Sequence, residues 1–358
     1  MSTESFESVL EDEYVPQLPE DELRSQYNNN KIIKIMKKFI LSCNHKVAIS
    51  LSGGVDSMVI TYALHLIRRF EDPHLEIYAL HVNYNNREES VIEHDFLKKW
   101  CSDLGTVRFY DMNVDDMRRE TYPDRNEYEK ILKERRFNFY LSILKAHDIS
   151  GIMLGHHKGD VFENVCSNIF KGKDMFNLKK MSMYSEMLGV QLQRPLVGIY
   201  KNIIYDFSKI FRVPYFKDTT PKWSVRGRFR NNLLAHLTDI YGRGCRDVAI
   251  QQATHLEEIG RYIMETELKP IFDTWESNKL IIKNNNVDKF TFLHWRSIFN
   301  FAFHKIGVPT ISNKSIKSFI LKIPCGTFKF QCSKNIQLYT VSTIESGIKI
   351  TTLSFIGA

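Results

Sequence analysis

Apolar residues along this chain form two alternating kinds of run. Short, nearly continuous runs at Val47–Leu51, Ile77–Val82, Val107–Met112, Ile152–Leu154 and Val190–Leu192 have the length and bounding residues of buried strands. Between them apolar positions recur at helical spacing over Val55–Phe70, Glu88–Leu104, Asn126–His147, Asp160–Phe170 and Asn202–Phe211. Strand then helix, repeated, predicts an α/β fold on a parallel twisted sheet, with ligands expected at the carboxyl ends of the strands.

The pattern differs on either side of this block. Residues 1–30 are acidic and then Asn-rich, with little periodicity, and are expected to be a flexible leader. Lys31–Leu41 predicts an amphipathic helix whose lysines lie on the solvent side. After Arg246 come three longer helical stretches, Asp247–Trp275, Asp288–Ile306 and Ser312–Ile323. Short strands follow at Thr327–Gln331, Ile336–Val341 and Gly347–Thr351. The expected organisation is a leader over 1–30, an α/β domain over 31–246, and a smaller helical domain with terminal strands over 247–358.

Composition narrows the class. Of 358 residues, 43% are hydrophobic and 25% charged, enough apolar material for a buried core, so disorder throughout is excluded. No apolar run is long enough for a membrane span. The first 25 residues carry eight acids against one base, Arg24, which fits neither a signal peptide nor a transit peptide. A cytoplasmic protein is expected. The formal net charge is +7 in spite of the acidic start, so the remainder is more basic than the total and suits a polyanionic partner, although simple solubility would explain it too. Six scattered cysteines form no CxxC pair, which reads as free thiols in a reducing compartment.

The candidate chemistry begins where the first core strand ends. Ser50-Leu51-Ser52-Gly53-Gly54-Val55-Asp56-Ser57 runs from an apolar strand into a helix. Two glycines allow backbone N–H groups to close around a phosphate, Ser52 and Ser57 add hydroxyl donors, and the helix start adds its positive end. The segment has neither the Gly-Lys-Ser/Thr of a Walker loop nor the G-x-G-x-x-G of a dinucleotide fold. Asp56 beside phosphates implies a divalent cation between them, so Mg²⁺ is expected. A tight strand-to-helix turn with ordinary capping residues is the bland alternative.

Ser52-Gly53-Gly54-Val55-Asp56-Ser57 resembles the pyrophosphate-binding loop (PP-loop) of the ATP pyrophosphatase superfamily, and the chain is most similar there to the tRNA(Ile)-lysidine synthetase family. The resemblance covers roughly Lys46 to Leu237. It implies an adenine nucleotide alpha hydrolase-like, Rossmann-type fold with helices on both faces of the sheet. His81-Val82-Asn83, then Arg87, match the adenine and ribose side of that family. Glu129, Lys133, Arg136 and Phe137 match a helix that faces nucleotide and tRNA, with Lys133 in place of an Arg; Arg135 and Arg136 beside Glu134 also read as an exposed salt-bridge face. Gly155-His156-His157-Lys158-Gly159-Asp160-Val161-Phe162-Glu163 resembles Gly/Ala-His-His-x-Asp-Asp-Gln-x-Glu, with Gly159 and Val161 departing from it. Asp160 and Glu163 lie three apart on one helix side, a surviving carboxylate pair for an ion or reactant. Arg194-Pro195-Leu196 and Lys201 also match, as do Asp218-Thr219-Thr220 and Arg226-Gly227-Arg228-Phe229-Arg230, where Gly227 and Thr220 each replace Asn. The three arginines, otherwise a solvated loop, offer bidentate groups to phosphates. Pro324–Leu338 is a weaker match.

By that resemblance the protein is expected to be an ATP-dependent carbon–nitrogen ligase. It would adenylate the C2 carbonyl of a wobble cytidine in tRNA, release pyrophosphate, and exchange AMP for lysine. The expected catalytic residues are Asp56, His156, His157, Asp160, Glu163 and Arg194, with Mg²⁺ on Asp56 and Asp160. ATP is expected on Ser50–Ser57, His81–Asn83, Gly155 and His156, and tRNA or phosphate on Lys133, Arg136, Arg226, Arg228 and Arg230. Two alternatives stay open: a PP-loop thiolation enzyme, for which Cys166 has no partner nearby in sequence, and a nucleotide- or RNA-binding protein with lost turnover. The helical part and terminal strands would contact tRNA, cover a sheet edge, or form a homodimer.

Overall fold

Val47, Ile49 and Leu51 pack on one side of a central strand and Ala48 on the other, so both faces of the sheet are apolar and both are covered. The structure is a computed structural model and describes residues 10–11, 18–41, 43–85, 89–114, 116, 124–173, 175–217, 224–333 and 335–356. A two-residue strand β1 (Leu10–Glu11) precedes helices α1 (Glu20–Asn29) and α2 (Lys31–Ile40). The alternation then runs β2 (Lys46–Ser50), α3 (Val55–Phe70), β3 (Glu76–Asn83), α4 (Glu89–Leu104), β4 (Val107–Asn113), α5 (Arg125–His147), β5 (Ile152–Met153) and α6 (Lys158–Phe170). A hairpin of β6 (Tyr184–Met187) and β7 (Val190–Gln193) follows, then α7 (Lys201–Ile210) and β8 (Tyr215–Phe216), which pairs with β1.

The main sheet has the order β4-β3-β2-β5-β7-β6, parallel except at the β6 edge. Leaving β2, the chain adds β3 and β4 on one side and then crosses to add β5 on the other. The connections after β2 and β5 therefore diverge, and a crevice opens between them at the carboxyl end of the sheet. One core lies under α1, α2, α3 and α7, including Leu23, Ile33, Met36, Ile60 and Phe207. The other packs Phe137, Tyr140 and Leu144 of α5 on Tyr78, Leu80, Ile152 and Leu192.

After β8 come α8 (Val225–Arg228), a π-turn over Phe229–Leu233, α9 (Leu234–Tyr241) and α10 (Cys245–Ile263). The chain divides into compact units Met1–Ala253 and Thr254–Ala358, a division that falls within α10. The second unit continues with a π-turn over Met264–Leu268, α11 (Lys269–Phe272), β9 (Lys279–Lys283), α12 (Phe292–Lys305), α13 (Asn313–Ile320), β10 (Phe328–Gln331), β11 (Gln337–Glu345) and β12 (Ile348–Ile356). Its antiparallel sheet, ordered β10-β11-β12-β9, buries Leu338, Leu353, Leu280 and Ile282 against Trp295, Phe299 and Phe319. No helix of the described residues is long and apolar enough to cross a membrane.

Several elements differ from the sequence expectation. The flexible leader does not extend to residue 30, because Leu23 and Tyr27 of α1 are buried in the first core and Asn30 caps α2 by accepting from the N–H groups of Ile32 and Ile33. The stretch Asp247–Trp275 is not one helix: a π-turn and Pro270 in the first turn of α11 break it. Residues 279–283, left unassigned between the expected helices, form β9 and pair with β12. Arg226–Arg230 is helical rather than an open loop, since Ser224 Oγ caps it by accepting from Gly227 N at 2.9 Å.

If α1 belongs to the core, Leu23→Ala will cost about 2–5 kcal/mol of folding stability, read from the urea midpoint. A midpoint within error of wild type would show that α1 contributes no packing.

Candidate active site

The turn between β2 and α3 is built around its glycines. Gly53 has φ +79°, and a Cβ there would lie 2.8 Å from Phe216 Cδ2, so conformation and space both require glycine. Phe216 N donates to Gly53 O at 3.0 Å and ties β8 to the turn. Ser57 braces it from within: its Oγ donates to Gly54 O at 3.0 Å, accepts from Ser52 N at 3.2 Å, and lies 3.2 Å from Ser52 Oγ. Gly54 caps α3 without a side-chain bond, which leaves first-turn N–H groups and the positive helix end for an anion.

This turn opens on a cleft of about 1130 Å³ at the diverging ends of β2 and β5. Seven Lys or Arg side chains and four Asp or Glu side chains line it, a cationic surplus that attracts phosphates. Gly155, opposite the turn, lets the two connections touch: a Cβ on it would come 2.8 Å from Asp56 Cβ and 3.1 Å from Ser57 N.

The histidines and carboxylates after β5 form one network. His157 caps α6, its Nδ1 accepting from Gly159 N at 2.9 Å while Asp160 Oδ2 accepts from His157 N at 2.9 Å. A Cβ at Gly159 would lie 2.7 Å from His157 Cε1, so the departure from the resembled motif is what lets the ring lie over the helix start. Asp160 Oδ1 accepts from Arg230 Nη2 at 2.6 Å, and Glu163 accepts from Arg226 Nε at 2.8 Å and Arg230 Nε at 3.0 Å. Burial alone would raise the Asp160 carboxyl. The His157 ring and backbone N–H and the Arg230 guanidinium overcome that and hold it below the usual carboxylate range.

Arg194 does not line the cleft. It is buried, donates to Ser182 O and Ser185 Oγ at 2.9 and 2.8 Å, and reaches His156 Nδ1 from Nε at 3.2 Å. That bond makes Nδ1 the acceptor and places the imidazole proton on Nε2. Burial pushes His156 down to about 4, so it is neutral at pH 7.

The expected site residues thus divide. Ser50, Ser52, Gly54, Val55, Asp56, Ser57, Arg136, Gly155, His156, His157, Asp160, Glu163, Arg226 and Arg230 line the cleft. Leu51 and Gly53 support it from behind. His81 is buried with Nδ1 2.9 Å from Leu51 O, and Asn83 Oδ1 accepts from Asn85 N at 3.0 Å, so this strand end braces the turn; Val82 packs with Tyr110 and α5. Lys133 lines a separate hollow of about 260 Å³ with Tyr84 and Tyr128, and Arg136 lines both this hollow and the cleft. Arg228 lines neither, and Arg87 and Asp218–Thr220 lie outside the described residues. The residue patterns missed Tyr140, whose hydroxyl lies 2.7 Å from Ser50 Oγ, and Tyr200 and Arg246, which carry no local motif.

Three cleft residues carry unpaired polar atoms that a ligand could satisfy. Asp56 Oδ1, Arg136 Nε and Arg246 Nε are buried without a hydrogen-bond partner, and all three residues line this cleft. Asp56 Oδ2 accepts from Lys201 Nζ at 2.6 Å, which leaves one carboxylate oxygen for a cation. Both Asp160 oxygens already have partners, so of the two expected metal ligands only Asp56 has one to spare; a Mg²⁺ ion held by one carboxylate and substrate phosphates fits this set.

Two outcomes follow. Gly155→Ala should displace the start of α3 and weaken binding of an ATP analogue at least tenfold by calorimetry; unchanged affinity would mean that the contact is soft. His65 and His156 are both pushed down to about 4 by burial, and His81 and His157 are lowered by it too. The unfolded chain binds these protons first, so stability is complete above about pH 6.5 and is lost as pH falls toward 4, by at most about 1.4 kcal/mol per pH unit for each ring. Urea midpoints flat from pH 7 to 4.5 would contradict this.

Comparison with known proteins agrees with the geometry. The PP-loop domain family matches residues 24–237. The chain is 28% identical to tRNA(Ile)-lysidine synthase of Chlamydia muridarum, over 66% of this chain and 71% of that one. It is 30% identical to the Chlamydia trachomatis serovar L2 protein of the same name, over 61% and 65%. For that of Staphylococcus aureus strain COL the identity is 26% over 52% of this chain, and the chain spans only 43% of that protein's length. Among solved structures, the U34-tRNA thiolase NcsA of Methanococcus maripaludis, with its [4Fe-4S] cluster, shares the fold at TM-score 0.52 and 18% identity, covering 66% of this chain and 79% of that one. With a family match over more than half its length that includes the turn opening the cleft, the chain belongs to the PP-loop domain family.

Proposed function

We propose that the protein is an ATP-dependent tRNA-modifying ligase that adenylates the C2 carbonyl of a wobble cytidine and replaces AMP with lysine. The observation that carries this reading is the Ser52–Ser57 turn facing a cation-lined cleft in which Asp56 Oδ1 lacks a partner. Its similarity to tRNA(Ile)-lysidine synthases supports tRNA as the substrate and lysine as the amine. Such substrates would place the protein in the cytoplasm.

In this reading the turn's N–H groups and the Ser52 and Ser57 hydroxyls hold the leaving pyrophosphate, and the α phosphorus stays open to the carbonyl oxygen of the base. Asp56 would hold Mg²⁺, which neutralises phosphate charge when bound. Lys201 fixes the Asp56 carboxylate, and Arg194 fixes the neutral His156 tautomer so that Nε2–H can donate to an oxygen on the cleft side. Arg230 helps hold the Asp160 carboxylate ionised, and Arg226 and Arg230 pair with Glu163 in the same wall. The cleft exceeds the size of ordinary small-molecule sites, roughly 300–1,000 Å³, and so has room for a base beside the nucleotide.

The thiolation reading has less support. Burial raises the Cys166 thiol to about 11, and this residue does not line the cleft.

Incubating the pure protein with tRNA, lysine and ATP-Mg²⁺ should release pyrophosphate and AMP and give a lysine-modified cytidine by mass analysis of nucleosides. Release of neither product would overturn the proposal, whereas a sulfur-bearing nucleoside in the presence of a sulfur donor would favour thiolation. Asp56→Ala should lose pyrophosphate release by at least a hundredfold with its thermal midpoint preserved; retained turnover would remove the carboxylate from the reaction.

A further inference from the structure

Arg246 lines the cleft, yet none of the roles above uses it. Among the described residues its Nε is buried without an acceptor, and its Nη2 reaches Thr238 Oγ1 at 3.4 Å. A buried guanidinium N–H with no acceptor costs free energy in the ligand-free protein, so packing alone gives no reason for this arrangement. An anionic oxygen entering the cleft would complete it with a charge-assisted hydrogen bond.

The neighbouring residue holds this arginine in place. Asp247 forms an ion pair with Lys158 and lies beside the Tyr200 hydroxyl, and Lys158 Nζ stands 4.5 Å over the Tyr200 ring. Lys158 opens α6 directly after His157, and Tyr200 caps α7 directly before Lys201. The start of α10 is therefore fastened to the starts of two helices that already deliver His157 and Lys201 to the cleft. The Lys158 side chain is half-buried and the Asp247 carboxylate half exposed, so the fastening is a surface pair supported by the Tyr200 ring under Lys158.

We propose that Arg246 contacts substrate, donating from Nε to a phosphate oxygen, and that Asp247 is the positioning residue that keeps it there. The proposal rests on the reading of the cleft as a site for ATP and an RNA, either of which supplies this chemistry.

The experiment measures binding of α,β-methylene ATP with Mg²⁺, and separately of unfractionated tRNA at several salt concentrations, to wild type, Arg246→Ala, Asp247→Asn and the double variant. Arg246→Ala should weaken one of the two about tenfold or more while the ligand-free thermal midpoint stays at or above that of wild type. A loss confined to the ATP analogue assigns the contact to the nucleotide. A loss confined to tRNA, with the salt slope reduced by about one, assigns it to the polynucleotide backbone. Asp247→Asn should weaken the same ligand and add nothing in the Arg246→Ala background. Unchanged binding of both ligands by Arg246→Ala, or a fall in its ligand-free midpoint with unchanged binding, would overturn the proposal while leaving the functional reading intact. Additive losses would overturn the role of Asp247. Wild type binding neither ligand would overturn both the functional reading and the inference built on it.

Discussion

The contact on which the site depends is one of backbone against helix start. At Gly155 the connection leaving β5 lies so close to Asp56 and Ser57 that a single added carbon would overlap them. That approach exists because the strand order reverses between β2 and β5, sending one connection each way and leaving a crevice where they separate. With the two connections in contact, the phosphate-binding turn and the His156–Glu163 segment form one wall. Gly53 against Phe216 repeats the arrangement on the other flank.

Electrostatics complete the site. A carboxylate as buried as Asp160 would take up a proton if left alone, and here both it and its buried neighbour Glu163 meet a guanidinium brought from the helical segment after β8. The wall can then carry ionised acids and still present a cationic surplus to a polyanion. Arg194 and Lys201 act in the same manner on smaller targets, one fixing an imidazole and the other a carboxylate.

The parts of this structure legible in the sequence are those whose cause is local. The α3 helix spans Val55–Phe70 as its apolar spacing indicates, and the glycines and serines of the turn lie where a phosphate cradle needs them. What local pattern could not reveal is set by distant partners. Leu23 and Tyr27 are helical because a core receives them, and β9 is a strand because β12 lies beside it. Arg194 matched the family pattern and reads as a reactive residue, but Ser182, Ser185 and His156 turn it into a support. His81, likewise motif-bearing, grips Leu51 from behind. Arg246 lies beside no motif at all, and its place follows from the tie between Asp247, Lys158 and Tyr200.

The imidazole that caps α6 has a consequence for how acid would act on the molecule. A serine or aspartate in that position keeps a lone pair across a wide range of acidity, whereas the Nδ1 of His157 keeps its own only while the ring is neutral. Once it is protonated the ring has two donors and no acceptor, and the Gly159 amide loses its partner. The helix terminus thereby exchanges a backbone hydrogen bond for a closer charge pairing between the His157 ring and Asp160, whose oxygen lies 3.6 Å from Nε2.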